Sequence, residues 1–539
     1  MMMNSNDLLL NSSITFSEFT DLCGSCRLVQ EEVLNDILKK NRNTEIGRRY
    51  NFDQITTIDD FRKMVPVMEW DDIKEFASES EKGIPDLLFA GKPELFIITS
   101  GTTGNCKIIP ESKNGLRAKN ITTALRVSAL LKHFPDAMNG KILPMANSAS
   151  IGKTECGIPF GTASGITMMN APDKLRAMIA YPSAILDVED SDALDYVLMR
   201  FAVEQDVRII ICNNAGRLEP LLKVAADNAE SILQDIEAGT ISEEFKISEQ
   251  IRDELLSSLS PNPEKAEQLR DAMERSGNFS PGEFWPNLRV INCWLAGSVG
   301  NYVKHIKPLF RESVEFMDCG YGATEGKFNI PLELNNPAGP LALYSGFYEF
   351  SPLDRGNTFL AAYELEDGKS YELYCTTYSG LYRYAMHDIV EVDGFSGTTP
   401  NIKFKSKTAD FANICGEKMS PDMLRSAFNN AVSTAGVNVR HWCVVIEPDS
   451  ECYNFCFELL ENNVQLSDHQ LSEFAGLIES ELYGDGTLPY PVFRKQQLIK
   501  PAKVTLMPCG WHQKLLDMQM KPGISSNQIK LPLVSVYKG

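Results

Sequence analysis

Three short clusters, far apart in the chain, hold residue types that could grip a nucleoside triphosphate. The first is Thr99-Ser100-Gly101-Thr102-Thr103-Gly104-Asn105-Cys106-Lys107, at the end of the apolar run Glu94 to Thr99. Glycines let a backbone approach an anion and turn its N–H groups inward, while Ser100, Thr102, Thr103 and Lys107 add donors for phosphate oxygens. This is not a Walker A loop, which needs Ser or Thr after its lysine. A polar turn between strand and helix has a similar composition, but this density of hydroxyls and glycines directly after an apolar strand favours phosphate. The second cluster is Asp318-Cys319-Gly320-Tyr321-Gly322-Ala323-Thr324-Glu325-Gly326. Its glycines miss the dinucleotide spacing GxGxxG by one residue. The Tyr321 ring can stack on a base, Thr324 can donate to a phosphate, and Glu325 can hold Mg²⁺ bridging ATP oxygens; an exposed acidic turn is the plain alternative. The third is Tyr382-Arg383-Tyr384-Ala385-Met386-His387-Asp388, within Gly380 to Val392. A carboxylate at a strand end, here Asp388, can accept both ribose hydroxyls, although alone it is a common feature.

The elements that must bring these clusters together follow from periodicity. The first 90 residues read as helical, with spaced apolar positions over Val29 to Lys40 and a helix start at Thr57-Ile58-Asp59-Asp60. A helix is predicted over Gly115 to Lys132. From 184 to 300, helices (Ser191 to Ala202, Leu218 to Ala238, Ser248 to Leu259, Pro263 to Arg275) alternate with strands (Val207 to Cys212, Val290 to Leu295), which argues for α/β layering. Leu341 to Val392 changes to strands and turns. The Gly/Ser/Thr/Pro cluster Asp393 to Pro400 reads as a linker, and a smaller α+β unit follows. The expected division is a large domain over 1–395, a hinge over 396–405 and a small domain over 406–539. The acidic stretch Glu230 to Glu244 reads as a solvated helix face and turn.

Composition narrows the partners. The chain has 539 residues and a formal net charge of −20, a field that repels nucleic acid and anionic membrane surfaces. Neither a signal peptide nor a membrane span is expected. Thirteen scattered cysteines fit reduced thiols in a cytoplasmic protein. Cys23-Gly24-Ser25-Cys26 lacks the further ligands a zinc site needs. The histidines show no metal-ligand spacing, and Ala296-Gly297-Ser298-Val299-Gly300 is not a serine-hydrolase elbow because position 296 is alanine.

In this order and at these distances, the three clusters resemble the nucleotide motifs of the acyl-CoA synthetase and firefly luciferase superfamily. More closely, the chain resembles the Gretchen Hagen acyl acid amido synthetases, the auxin-responsive family that conjugates auxin, jasmonate and benzoates to amino acids. The matching flanks are Gln30-Glu31-Glu32-Val33-Leu34, Asn43-Thr44-Glu45, Trp285-Pro286-Asn287-Leu288 leading to Ala296-Gly297-Ser298, Thr376 to Tyr384, and Ser526-Asn527-Gln528-Ile529-Lys530. The resemblance implies a large α/β domain with a β-rich subdomain and a smaller mobile C-terminal α+β domain. It implies that Ser100, Gly101, Thr102 and Thr103 cradle phosphates, and that Gly297 and Ser298 line the adenine pocket with Tyr321. Thr324 would touch the α-phosphate, Glu325 bind Mg²⁺ and Asp388 hold the ribose. Lys530 would enter from the small domain as it swings. Arg126 and Leu334 are candidates for facing the acyl group, with ordinary surface and core roles as the alternative. The implied reaction joins a small carboxylic acid to an amino acid, by way of an acyl-AMP, and a monomer is expected.

The family's Arg-Val-Gly before the ribose aspartate is replaced here by Ala385-Met386-His387, leaving Arg383 as the nearest cationic substitute. Leu533 follows Pro532, where the family has arginine. An acyl-CoA ligase and a non-catalytic nucleotide or acid sensor are the alternative readings.

Overall fold

The computed structural model describes residues 14–98, 107–145, 152–162, 165–166, 173–213, 215–296, 303, 306–353, 358–407, 412, 414–415, 417, 419, 421–446, 451–460, 466–484, 489–512, 514–515 and 533–536. They divide into two compact units, with the boundary between Ser406 and Lys407.

The first unit begins with helices, among them Phe16–Cys23, Cys26–Asn41, Ile58–Met64 and Trp70–Glu81. Thr15 and Thr57 each close a capping box with the acid three residues on, Glu18 and Asp60. These contacts satisfy first-turn N–H groups that a helix cannot satisfy itself. A parallel sheet follows in the order Lys141–Pro144, Val207–Ile211, Val290–Cys293, Glu315–Asp318. Its neighbouring residues alternate between two hydrophobic cores. Ile209, Val290 and Met317 enter one, while Ile210, Ile291 and Phe316 enter the other. A sheet buried on both faces needs such continuous apolar runs.

A second small sheet pairs Leu95–Ile98 antiparallel with Ile108–Glu111. The third is six-stranded, ordered Leu360–Ala361, Gly346–Pro352, Ser370–Thr377, Tyr384–Ser396, Thr399–Lys407, Gly339–Pro340. Residues 396–405, expected as a hinge, therefore lie in paired strands. The Gly/Ser/Thr cluster makes the turn between two of them, with Gly394 and Gly397 left-handed at φ +76° and +62°. That turn is fastened to the first helices: Thr398 N–H and the Thr399 hydroxyl both donate to the Cys23 carbonyl, at 3.0 and 2.8 Å.

Two further expectations change. Leu218 to Ala238 is two helices, Leu218–Asp227 and Ala229–Ala238, broken at Asn228. The Glu230 to Glu244 stretch is not wholly solvated. Asp235 is buried, accepting the Tyr196 hydroxyl at 2.6 Å and Ser242 N–H at 2.7 Å.

The second unit holds a four-stranded sheet ordered Lys503–Leu506, Tyr453–Leu459, Val439–Ile446, Val534–Val536, with helices Pro421–Ala435 and Asp468–Tyr483. Phe428 stacks on Trp442 at 4.1 Å and meets Phe474 edge-on at 5.6 Å, joining both helices to the sheet. No described helix is long and apolar enough to cross a membrane.

Candidate active site

The second motif begins where a parallel strand ends. Asp318 is buried at the tip of Glu315–Asp318, and its carboxylate accepts Leu295 N–H and Gly320 N–H, both at 2.6 Å. Burial pushes this carboxyl up to about 6, against the two N–H donors and Arg126, which act to lower it. Gly320 is left-handed (φ +88°), and a Cβ there would lie 2.3 Å from the Arg126 guanidinium. Only glycine fits. The chain then reverses tightly, with Phe328 N–H donating to the Tyr321 carbonyl (2.9 Å) and Ala323 N–H to the Gly326 carbonyl (2.8 Å). Thr324 and Glu325 stand at the tip of this reversal, half-buried.

One helix, Lys113–His133, grips the reversal along its length. Lys119 Nζ donates to the Thr324 carbonyl at 2.7 Å and pairs with buried Glu111. Four residues on, the Thr123 hydroxyl accepts from Lys327. Arg126 follows, donating through Nε to the Asn329 carbonyl (2.9 Å) and through Nη2 to the Tyr321 carbonyl (2.8 Å). Such i, i+4, i+7 positions share a helix face. Burial, together with Arg126 and Lys119 nearby, holds the Lys327 ammonium down at about 7. Asn329, fully buried, completes the frame by accepting Tyr321 N–H at 2.7 Å and donating to the Ile402 carbonyl at 2.6 Å.

The third motif enters through a bulge. Strand Ser370–Thr377 pairs Glu372 with Ile389 and Tyr374 with Ala385, so Met386, His387 and Asp388 together face Leu373. Bulges of this kind re-aim side chains next to functional sites. Asp388 is buried and accepts the Tyr321 hydroxyl at 2.6 Å, joining two motifs 67 residues apart. Burial and this carboxylate push the Tyr321 phenol well up. The Tyr321 ring packs against Phe328 (4.8 Å) and Phe404 (5.5 Å). At 8% exposure, it leaves little face for a base in this form. Lys107, the last residue of the first motif, donates to the Tyr384 hydroxyl at 3.1 Å. Burial raises the Tyr384 phenol, and the nearby Glu325 carboxylate raises it further.

The structure thus brings Lys107, Tyr321, Thr324, Glu325 and Asp388 into one neighbourhood of the first unit. Ser100, Gly101, Thr102, Thr103, Gly297, Ser298 and Lys530 lie outside the described residues. Arg126 is bound to two loop carbonyls, a framing contact that the sequence reading did not foresee. Leu334 bridges Met317 and packs on the large core from a half-buried position. Arg383 is no substitute for the family's arginine. It is buried at 4% exposure on Glu349 (2.8 Å) and the Val65 carbonyl (2.9 Å), with Arg62 on the other oxygen of Glu349. Lys119, Glu111, Lys327 and Asn329 were missed. Helical spacing from Lys119 to Arg126 was the available signal for the first, and position 327, two beyond Glu325, for the third.

Three family models match the chain in succession: the GH3 family N-terminal domain over 15–314, the central domain over 339–407 and the C-terminal domain over 422–538. A jasmonoyl–L-amino acid synthetase of Nicotiana attenuata is 25% identical over 96% of this chain and 92% of its own length. An indole-3-acetic acid-amido synthetase of Arabidopsis thaliana is 25% identical over 94% and 88%. Among solved structures, the GH3.15 acyl acid amido synthetase in complex with 2,4-DB superposes with TM-score 0.67 at 20% identity, covering 100% of this chain and 96% of that one. The two share a fold.

Proposed function

Because the chain belongs to the GH3 family, we propose that it is an ATP-dependent acyl acid amido synthetase. It activates a small carboxylic acid as acyl-AMP and transfers the acyl group to an amino acid. The observation that carries this reading is the 2.6 Å bond from Tyr321 to Asp388, which draws the acidic reversal and the ribose-type aspartate together. The names of the relatives, synthetases that join acids to amino acids, support the same reaction class.

A carboxylate is a poor electrophile because its leaving group would be oxide. Its oxygen attacks the α-phosphorus of ATP, the bond to the β-phosphate oxygen breaks, and pyrophosphate leaves. The amine nitrogen then attacks the acyl carbonyl, loses a proton, and AMP leaves. The protein's work is positioning and charge balance. Ser100, Gly101, Thr102 and Thr103 cradle the phosphates, Lys107 adds a further donor to them, Gly297 and Ser298 line the adenine pocket, and Asp388 accepts the ribose hydroxyls. Thr324 meets the α-phosphate from a tip that Lys119 and Arg126 hold in place. Glu325 has the donor chemistry for Mg²⁺: it is half-buried at the tip, and no ion pair engages it among the described residues. Mg²⁺ characteristically takes one or two carboxylates plus phosphate oxygens and, when bound, offsets phosphate charge. The acid lies beyond Thr324, along the Lys113–His133 helix. Lys530, in the C-terminal domain, serves adenylation.

Acid-dependent exchange of pyrophosphate into ATP, with mass detection of an N-acyl amino acid, tests the proposal. Glu325→Ala and Asp388→Ala should each remove at least about 99% of exchange, about 2.7 kcal/mol of barrier, with folding intact. Exchange without any acid requirement, or a CoA thioester formed at full rate without an amino acid, overturns it.

A further inference from the structure

The helix that frames the reversal places three cations side by side. Lys119 is matched by Glu111, and Arg126 by two carbonyls and the nearby Asp318. Lys327 is different. Its hydrogen-bond partner is the neutral Thr123 hydroxyl, Arg126 and Lys119 nearby oppose its charge, and the one described carboxylate that favours it, Glu111, is already paired with Lys119 and makes no ion pair with it. A half-buried ammonium beside two like charges costs stability unless an anion completes it. A purely structural role at this position would be served better by an apolar side chain. The helix also sets its distance from the chemistry. Lys119 holds the Thr324 carbonyl, and Thr123, about one helical turn further on, holds the Lys327 ammonium.

We propose that Lys327 is a specificity-determining residue that selects an acid carrying a second anionic group, the class being short dicarboxylic acids. One carboxylate reaches the α-phosphate beside Thr324, and the other pairs with Lys327. This deepens the function proposed above and rests on it.

Pyrophosphate exchange with the full chain, comparing glutarate with valerate, its counterpart lacking the second carboxylate, tests the inference. Wild type should favour glutarate in kcat/KM by at least about tenfold, the scale of one charge-assisted pair. Lys327→Met should raise KM for glutarate about tenfold relative to that for valerate, while Lys327→Arg keeps most of the preference. A wild type that prefers valerate overturns the inference, even if Lys327→Met does not fold. So does a Lys327→Met effect equal for both acids, or a rise in KM for ATP with either acid, which would place the lysine on the triphosphate. If aromatic monoacids alone support exchange, this inference falls and the function stands; if no acid does, the function reading fails and this one with it.

Discussion

At position 318 a carboxylate is buried at a strand tip with two short N–H donors, and burial still outweighs them. Its pKa stands at about 6 against 3.8 for an ordinary aspartate. The folded value is the higher one, so protonation favours the folded state. The associated stability is fully present below pH 3.8, the unfolded value, and is lost as pH rises through about 6. The difference is on the order of 3 kcal/mol, at 1.36 kcal/mol per unit. Thermal melts of wild type and Asp318→Asn between pH 4 and 7.5 measure it, because the asparagine cannot titrate. The wild type should lose stability relative to the variant across this range, and parallel curves would show that the carboxyl titrates normally. Position 387 shows how far single residues could be read. The glycine that the resemblance leads one to expect there is a histidine here, and its backbone is left-handed at φ +53°, with the ring 2.8 Å from Glu69. The substitution was visible in the sequence, but the contact with Glu69 that accompanies it, 318 residues away, was not.

Among the elements, the Lys113–His133 helix and the 320–329 reversal behave as one device. Arg126 binds the reversal at both ends, at the Tyr321 and Asn329 carbonyls. Arg126→Met fills similar volume but leaves the Asn329 carbonyl without a donor and the Tyr321 carbonyl with the Phe328 N–H alone. At about 1–3 kcal/mol for a buried group left unsatisfied, the variant should lose about 1–3 kcal/mol and expose amides 321–329 to hydrogen exchange. Amides of the Pro421–Ala435 helix, in the other unit, should be unaffected. Unchanged exchange at 321–329 would show that the reversal holds itself. Long periodic helices and apolar strands were legible in the sequence because burial imposes their period. The strand pairing over 396–405 was not, because turn residues at a hairpin tip have the composition of a linker. The motifs themselves were legible as chemistry. Their supports, Glu111, Lys119 and Asn329, were not, since what makes each of them matter is a partner distant in the chain.

The whole molecule carries a net charge of −20, yet its proposed substrates, ATP and a carboxylic acid, are anions. Long-range repulsion and local attraction therefore oppose each other, and they differ in range. The net field reaches outward by the Debye length, about 30 Å at 10 mM salt and about 10 Å at 100 mM. The cations near the site (Lys107, Lys119, Arg126 and Lys327) act over a few ångströms, where low-dielectric walls weaken screening. Salt should therefore remove the repulsion before it removes the attraction. With Mg²⁺ in excess, kcat/KM for ATP should rise severalfold as KCl goes from about 10 to 100 mM, then level off or fall. A strongly basic protein would show the reverse, losing association rate from the first addition. A monotonic fall over that range would mean that the approach to the site is governed by local positive charge, and that the acidic excess lies too far from the path of entry to matter.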